Sequence, residues 1–411
     1  MSQRDIYVNF DHRSENRPLP MGILSVQMLR GKELFSFAYN DVFLKQKHLP
    51  LLDPDLQFYA GRQFTDKTNF GLFMDSVPDR WGRKLMQRRE ALRAKRAGEK
   101  PRTLLESDYL LGVFDETRMG ALRFQLSLDG EFQNNDRGMA APPWARLREL
   151  EEACHHLERE ETSDDHEKWL AMLIAPGSSL GGARPKANVS DADGNLWIAK
   201  FPSRHDEANI AAWEYTAMLM ARDAGLDVPE CRLEKYSRQG STFLVKRFDR
   251  LGTMRIHFAS AMTLLGKTDG AEDESGYLDI ARFITEHGAQ PQDDLLELWR
   301  RIAFSIAISN TDDHLRNHGF LLTRQGWRLS PVYDLNPNAD GRGLSLNISE
   351  VDNALDFDLA MEVAPMFRLS RDFARKILAR IKDTVSHFRS YARHSAISPA
   401  EQKRMSPAFR F

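Results

Sequence analysis

The sequence predicts an α+β fold in which a mixed N-terminal part precedes a strand-rich middle and a mostly helical end. The side chains of Ile6, Val8 and Phe10 alternate with polar neighbours, as in a half-buried strand. In the middle of the chain, short apolar runs flank turn residues in the manner of β-hairpins. Residues 278–310 and 356–395 instead carry apolar side chains at helical spacing.

The N-terminal part contains signals for both strands and helices. Residues 122–126 alternate in the same way as the first strand, with Leu122, Phe124 and Leu126 on one face. Residues 67–97 have a helical repeat of apolar side chains, formed by Phe70, Phe73, Val77, Trp81, Leu85 and Leu92. A polar stretch over 134–143 predicts a linker, and 144–160 an amphipathic helix.

Three hairpins are predicted in the rest of the chain. Their paired runs are 187–190 with 196–201, 231–236 with 242–248, and 319–322 with 327–329. A helix over about 206–224, ended by Gly225, separates the first two hairpins. We therefore expect domains at 1–139, 140–250 and 251–411, with a β-rich lobe and a helical lobe that enclose a cleft suited to a nucleotide.

Composition excludes several classes of protein. Of the 411 residues, 42% are hydrophobic and 28% charged, which is typical of a folded globular chain. A net charge of -2 provides no overall attraction to nucleic acid or anionic membranes. No apolar run approaches the roughly 20 residues that span a bilayer, and no signal peptide is evident. Cys154 and Cys231 match no disulfide or zinc framework. These features predict a cytoplasmic protein without membrane contact.

The most informative segment is acidic and spans 310–318, followed by the third hairpin and by Asp334. Phosphoryl transfer needs a carboxylate that accepts the proton of the attacking hydroxyl, and an amide and a second carboxylate that hold Mg²⁺. Asp312 precedes Asn317 by five positions, as the base precedes the metal-binding Asn in protein kinases. Asp334 lies just past the hairpin, where a kinase has its metal-binding Asp.

Other interpretations of this segment remain open. Asp312, Asp313 and Asn317 could serve only as turn and capping residues after the preceding helix. His314 and His318 stand four apart and could bind a transition metal, although no catalytic Glu or third His accompanies them. A structural hydrogen-bonding role for His314 is the simpler alternative.

A possible phosphate side lies upstream. Residues 176–186 form a Gly/Ser-rich turn that is not a Walker A loop. Lys200 lies in an apolar strand, where a charged residue needs a partner, and Glu207 or Glu214 on the following helix could provide it. The alternatives are an ordinary surface loop and a solvent-facing lysine. The strand over 243–249 would then run towards a hinge where backbone groups could hold adenine.

Several ordered segments together resemble the HipA family, the kinase components of bacterial toxin–antitoxin modules. The segments are 179–186, 198–202, 245–250, 310–317 and 333–334, with 77–80 and 112–121 resembling the family's first domain. The resemblance spans most of the chain. It implies a two-lobed protein-kinase-like fold with a β-rich N-lobe and a mostly α-helical C-lobe, behind the mixed α/β domain.

The resemblance also implies roles for individual residues. Asp312 would be the catalytic base, Asn317 and Asp334 the magnesium ligands, and Lys200 the phosphate-binding lysine. The ATP contacts would further include Gly181, Gly182, Ala183, Arg184, Pro185 and Lys186 in the loop, Lys246, Arg247 and Phe248 at the adenine, and His314 and Tyr333. Ser179 falls at the autophosphorylation position of the family. Adding about two negative charges there would oppose nucleotide binding.

Two residues depart from the family pattern. Asp313 stands where a small residue is common and adds negative charge beside the proposed base. Lys246 stands where an acidic residue occurs in other members, which leaves the role of its side chain open.

The resemblance implies an ATP- and Mg²⁺-dependent serine/threonine protein kinase toxin. Its partners would be a protein substrate, such as an aminoacyl-tRNA synthetase, and a HipB-like helix-turn-helix antitoxin through which it reaches operator DNA. The basic stretch 80–102 could touch DNA itself, or could be only a solvated helix face. Two alternatives stand beside the kinase: a catalytically idle module that binds an antitoxin–DNA complex, and a small-molecule or lipid kinase.

Overall fold

The computed structural model describes most of the chain in two compact units. The described residues are 3–13, 17–46, 49–135, 141–159, 169–170, 173, 182–269 and 275–411. The first unit comprises Met1–His205, Tyr236–Gln239 and Leu244–Ala259, and the second comprises Asp206–Lys235, Gly240–Phe243 and Ser260–Phe411. Strands and helices occur in both units, so the structure is α+β. The expected division into three domains stays a prediction.

An antiparallel sheet opens the first unit. Its strands are β1 (Gln3–Phe10), β2 (Leu19–Leu29), β3 (Lys32–Tyr39), β4 (Arg62–Phe64) and β5 (Leu122–Gln125), in the order β4-β3-β2-β1-β5. The alternation predicted for β1 is confirmed, since Ile6, Val8 and Phe10 are buried. β5 ends at Gln125, and Leu126 is exposed beyond it.

Four helices accompany this sheet: α1 (Asp41–Leu44), α2 (Gly71–Met74), α3 (Arg80–Ala97) and α4 (Glu106–Gly112). The helical repeat over 67–97 is therefore interrupted between α2 and α3. Pro78 stands in the gap, and proline disfavours the helical conformation of the residue before it. Asp79 then caps α3 by accepting a 2.8 Å hydrogen bond from the Gly82 amide, and Gly98 ends α3 with φ of 66°.

The strand-rich middle forms a second sheet. It contains β6 (Lys186–Ser190), β7 (Leu196–Lys200), β8 (Cys231–Glu234) and β9 (Thr242–Lys246). The strand order is β6-β7-β9-β8. The first unit resumes within β9, after Phe243. The predicted amphipathic helix is confirmed as a 3₁₀ turn over Trp144–Arg146 and α5 (Leu147–Glu158). α5 packs with β6, β7 and α3 in one apolar cluster that includes Trp81, Leu150 and Trp197.

Shorter strands follow, and helices then dominate the second unit. The strands are β10 (Arg250–Leu251), β11 (Met254–Arg255), β12 (Phe258–Ser260), β13 (Gly319–Thr323) and β14 (Gly326–Leu329). The helices are α6 (Ile210–Ala224), α7 (Ala261–Leu264), α8 (Tyr277–His287), α9 (Pro291–Ile308), α10 (Phe357–Val363), α11 (Arg371–Ser386), α12 (Phe388–His394) and α13 (Pro399–Met405). The 3₁₀ turns are Leu315–Asn317, Ala364–Phe367 and Ser406–Ala408.

The third hairpin is confirmed, with β13 and β14 joined at Arg324 and Gln325 and Thr323 opposite Gly326. The helix predicted over 206–224 begins at Ile210, after Asn209 caps it, and ends at Gly225 with φ of 95°.

Both cysteines are free and buried. Among the described residues, none of the helices is both long and apolar enough to cross a membrane.

Candidate functional site

The acidic segment begins where α9 ends. Ser309 adopts a left-handed conformation with φ of 49° and closes the helix. Its hydroxyl donates to the Ala408 carbonyl at 2.8 Å and accepts from Nε of Arg410 at 3.1 Å. The direction in which the chain leaves α9 is thus fixed by the C-terminal residues.

The segment after Asp334 is bound to the start of the acidic loop. The Asn336 amide donates to Oδ1 of Asn310 at 3.1 Å, and Nδ2 of Asn338 donates to the Thr311 hydroxyl at 2.8 Å. Because these contacts join residues distant in sequence, the loop and the Asp334 segment form one local framework. The asparagines that build it were not singled out from the sequence, where nothing distinguishes them from ordinary turn residues.

The two adjacent carboxylates of the loop have opposite surroundings. Asp313 is buried and accepts from the Tyr277 hydroxyl at 2.6 Å and the Ser305 hydroxyl at 3.3 Å, and it pairs with Nε2 of His318 at 3.1 Å. Burial alone would raise the pKa of Asp313, but His318 and the Tyr277 hydroxyl outweigh it and hold the pKa below its ordinary value. Asp312 is exposed. The extra carboxylate beside Asp312 is therefore satisfied by its own buried partners.

Asn317 and Asp334 offer oxygen atoms of the kind that Mg²⁺ prefers. Nδ2 of Asn317 donates to the Asp312 backbone carbonyl at 2.9 Å, which fixes the orientation of the amide and leaves Oδ1 as its acceptor. Asp334 has φ of 61°, an uncommon conformation for a residue with a side chain, and Oδ1 of Asp334 accepts from Nδ2 of Asn336 at 3.3 Å. An amide oxygen and a carboxylate in one framework fit a hard divalent cation.

Two further residues of the expected ATP contacts lie in the same unit. The Tyr333 hydroxyl donates to the Arg316 carbonyl at 2.6 Å, and this hydrogen bond holds the chain just before Asp334 against the acidic segment. Nδ1 of His314 has no hydrogen-bond partner within the described part of the chain. No group of three or more His, Cys, Asp or Glu side chains there could hold a metal ion, so the transition-metal alternative gains no support.

The phosphate side of the expected site lies in the first unit. Ser179 and Gly181 fall outside the described residues. Gly182 and Ala183 are exposed, Arg184 is partly exposed, and Pro185 is buried. The Pro185 carbonyl accepts from the Phe201 amide at 2.9 Å, which ties the end of the loop to β7.

Lys186 has a local partner that the sequence did not suggest. Its ammonium pairs with Oδ2 of Asp79 at 2.9 Å and donates to the Gly182 carbonyl at 3.1 Å, with both charged side chains nearly inaccessible to solvent. Burial raises the pKa of Asp79, an effect that Lys186 and the Gly82 amide oppose. In the sequence, Asp79 appears only within a motif that resembles the family. The one signal that Lys186 needs a partner is its position at the start of an apolar strand.

Lys200 lies directly opposite Lys186 across β6 and β7 and is partly exposed. Like charges directly opposite each other destabilise a strand pair. The Asp79 carboxylate offsets this repulsion by neutralising Lys186. Of the two acidic residues expected to pair with Lys200, Glu214 is buried and Glu207 is exposed, and both belong to the second unit.

The three residues expected near adenine have different surroundings. Nζ of Lys246 lies 5.9 Å from the centre of the Trp197 ring, and Phe248 packs against Phe258 with ring centres 6.2 Å apart. Arg247 is buried, and its guanidinium donates to both Asp249 oxygens at 2.9 and 2.7 Å and to the Thr117 carbonyl at 2.6 Å. Arg247 thus holds β9 to the 112–121 segment, and the sequence did not indicate this role.

The fold is shared with HipA. A HipA structure from Shewanella oneidensis MR-1, solved with HipB and operator DNA, covers 98% of this chain and 94% of its own with a TM-score of 0.64 and 15% identity. The likeness at that identity establishes the shared fold. It confirms the α+β class expected from the sequence.

The family follows from the sequence match. Residues 178–388 match the HipA-like C-terminal domain, and the chain belongs to this family. The Sinorhizobium fredii protein "Putative kinase Y4dM" is 25% identical over 90% of this chain and 88% of its own length. A Haemophilus influenzae protein named "Putative kinase" is 30% identical over 38% of this chain and 52% of its own length. The resemblance to the HipA family is thereby confirmed.

Proposed function

We propose that this protein is an ATP- and Mg²⁺-dependent serine/threonine protein kinase of the HipA type. The observation that carries the proposal is the contrast between the two adjacent carboxylates of the acidic loop. Asp313 is locked by Tyr277, Ser305 and His318, whereas Asp312 is exposed beside an oriented Asn317. The names of two relatives as kinases support the same function.

In this proposal Asp312 accepts the proton of a substrate hydroxyl as its oxygen attacks the γ-phosphorus of ATP. The bond from the γ-phosphorus to the bridging oxygen breaks, and ADP leaves with the electron pair. Asn317 and Asp334 would hold Mg²⁺, which supplies positive charge at the phosphate oxygens. Lys200 and the loop 181–186 would contact phosphates, with Lys246, Arg247, Phe248, His314 and Tyr333 completing the ATP contacts.

Two of these contacts are restricted by the ion pairs that their side chains make in the structure. The Lys186 side chain is held by Asp79, and the Arg247 side chain by Asp249, so only their backbone groups are candidates for ATP. The strand lysine of the proposal is accordingly Lys200 rather than Lys186.

Phosphate transfer to Ser179 is the proposed off-switch. The added negative charge would enter a loop that attracts phosphate and would weaken ATP binding. We expect phosphate on Ser179 in protein purified after expression, detected by intact-mass and peptide analysis.

Asp312→Ala tests the centre. The variant should retain its fold, because Asp312 is exposed, and should lose transfer of radiolabelled γ-phosphate to itself and to substrate. Asp372→Ala, which removes another exposed carboxylate of the second unit, is the control and should remain active. Undiminished transfer in Asp312→Ala would overturn the assignment of the base.

A kinase and an idle binding module differ in nucleotide binding. Calorimetry should detect Mg²⁺-dependent ATP binding that Asp334→Ala abolishes. Absence of ATP binding in the unchanged chain would favour the module. Transfer to a lipid or small molecule but to no protein would favour the remaining alternative.

The proposed partners follow from the relative of known structure, which was solved with HipB and operator DNA. We propose a HipB-like antitoxin as the partner of this chain in the cytoplasm, with operator DNA contacted mainly through the antitoxin. Co-purification from a strain that expresses both proteins, with and without operator duplex, tests this assembly.

A further inference from the structure

A cavity in the first unit is lined by none of the residues assigned above to ATP, Mg²⁺ or catalysis. It is a half-open cavity of about 360 Å³, lined by residues of β1, of α3, of α4 and of the segment between those helices. Met86, Leu104 and Leu111 supply apolar wall. This size falls within the range of pockets that hold small molecules.

Arginines outnumber carboxylates around this cavity. The lining contains Arg4, Arg89, Arg93 and Arg102 against Glu90 and Asp108. Both carboxylates are already engaged. Glu90 accepts from Arg93 at 2.8 and 2.9 Å, and Asp108 accepts from Arg102 at 2.7 and 3.1 Å.

Arg4 and Arg89 are the remaining cations of the lining. Within the described part of the chain, neither guanidinium makes a hydrogen bond or an ion pair within 4 Å, although Arg4 is attracted to Asp108 and Arg89 to Glu90 from farther away. Burial lowers the pKa of Arg89, and Glu90 only partly opposes this effect. The half-buried Arg89 guanidinium is less well solvated than one in water and makes no hydrogen bond to a carboxylate, so an anion bound beside it would be stabilising.

Arg4 can reach the same cavity because of the strand pleat. Side chains two apart in a strand point to the same face, which places Arg4 on the side of buried Ile6 and Val8. The sheet therefore supplies one guanidinium and α3 the other. Two guanidinium groups on separate elements suit a phosphate or carboxylate, which can accept paired hydrogen bonds from each.

We propose that this cavity binds a small organic anion, with its phosphate or carboxylate group held by Arg89 and Arg4 and its apolar part against Met86, Leu104 and Leu111. A small molecule suits the site better than a nucleic-acid backbone for two reasons. The cavity is concave and partly apolar. Other arginines of the basic stretch are used internally, as Arg83 is by a two-bond contact with Glu106 at 2.7 Å.

Calorimetry on the full chain with phenyl phosphate tests the proposal. This probe carries both a phosphate and an apolar ring, and benzyl alcohol serves as its neutral counterpart. We expect phenyl phosphate to bind and to raise the melting temperature, and benzyl alcohol to do neither. Arg89→Gln and Arg4→Gln should each weaken binding about tenfold or more, since hydrogen bonds to charged groups are strong.

Matched variants separate this site from other sources of phosphate binding. Lys84→Gln removes an exposed charge of α3 that does not line the cavity and should leave binding unchanged. Arg89→Lys should retain part of the affinity. Thermal unfolding of each variant checks that it is folded. If Arg89→Gln does not fold, Arg4→Gln tests the proposal instead, because Arg4 is exposed.

Three results would overturn the proposal. One is the absence of binding by the unchanged chain at millimolar phenyl phosphate. The second is equal binding in Arg89→Gln and Arg4→Gln. The third is loss of binding in Lys200→Gln with retention in Arg89→Gln, which would place the probe at the proposed ATP phosphates.

Discussion

Asp312 and Asp313 are chemically identical neighbours that the fold distinguishes completely. Tyr277, Ser305 and His318 come from other positions in the chain and meet at Asp313. A buried carboxylate requires such donors, whereas an exposed one is satisfied by water. The assignment of the proposed base therefore depends on which carboxylate is buried.

Tyr277→Phe should destabilise the protein by about 1–3 kcal/mol, because the buried Asp313 carboxylate loses a 2.6 Å donor. Urea denaturation measures the loss. Tyr59→Phe removes the hydroxyl of a half-exposed tyrosine and should change stability little. A Tyr277→Phe variant as stable as the unchanged chain would show that Asp313 does not depend on this hydrogen bond.

Asp79→Asn isolates the ion pair beneath the glycine-rich loop. Asparagine can still cap α3, so the main loss is the counter-ion of buried Lys186. We expect a decrease of about 3–5 kcal/mol in the free energy of unfolding, as for other broken buried pairs. ATP affinity should also fall, since Lys186 holds the Gly182 carbonyl.

The double variant Asp79→Asn/Lys186→Met is the control for that prediction. It removes both charges and should recover much of the lost stability in urea denaturation. If the double variant loses as much stability as the single variant or more, the cost of Asp79→Asn does not come from leaving the buried Lys186 charge unpaired.

At the level of elements, the position at which a helix ends depends on distant residues. α9 stops at Ser309 although no glycine or proline follows directly in the sequence. The contacts with Ala408 and Arg410 compensate for the left-handed conformation of Ser309. This helix end sets the origin of the acidic loop.

Substitutions at Ser309 separate its two roles. Ser309→Ala should cost about 1–3 kcal/mol by removing both hydrogen bonds. Ser309→Gly loses the same bonds but tolerates φ of 49°, so it should be more stable than the alanine variant by roughly 1 kcal/mol. Thermal unfolding of both gives the comparison, and the reverse order would contradict the conformational argument.

For the whole molecule, two histidines of the first unit make stability depend on pH. Burial lowers the pKa of His257 to about 3, with a smaller contribution from the nearby His12. Burial likewise lowers the pKa of His12 to about 4, with a smaller contribution from the positive charge of Arg13. Below pH 6.5, the ordinary pKa of histidine, these two side chains bind protons in the unfolded chain but not in the native state. The free energy of unfolding therefore falls as the pH is lowered.

His257 alone should contribute up to about 2 kcal/mol of this loss between pH 7 and pH 5. Urea denaturation at both pH values measures it. His257→Gln should reduce the pH dependence, while His205→Gln, at an exposed position, should preserve it. An unchanged slope in His257→Gln would assign the pH dependence to other groups.

The sequence by itself determined the α+β class, the three hairpins, the amphipathic α5 and the family. These features depend on local patterns, such as alternation along a strand, turn residues and ordered motifs, which act over a few residues. The sequence also placed Asp312 and Asn317 in one acidic segment and Asp334 just past the following hairpin, and their roles remain proposals.

Only the tertiary structure decided how individual charges are used. It pairs Lys186 with Asp79, commits the Arg247 side chain to Asp249, buries Asp313 and interrupts the helical repeat after α2. The physical reason is that the free energy of a buried charge depends on partners brought from far along the chain, and a local pattern carries no record of them.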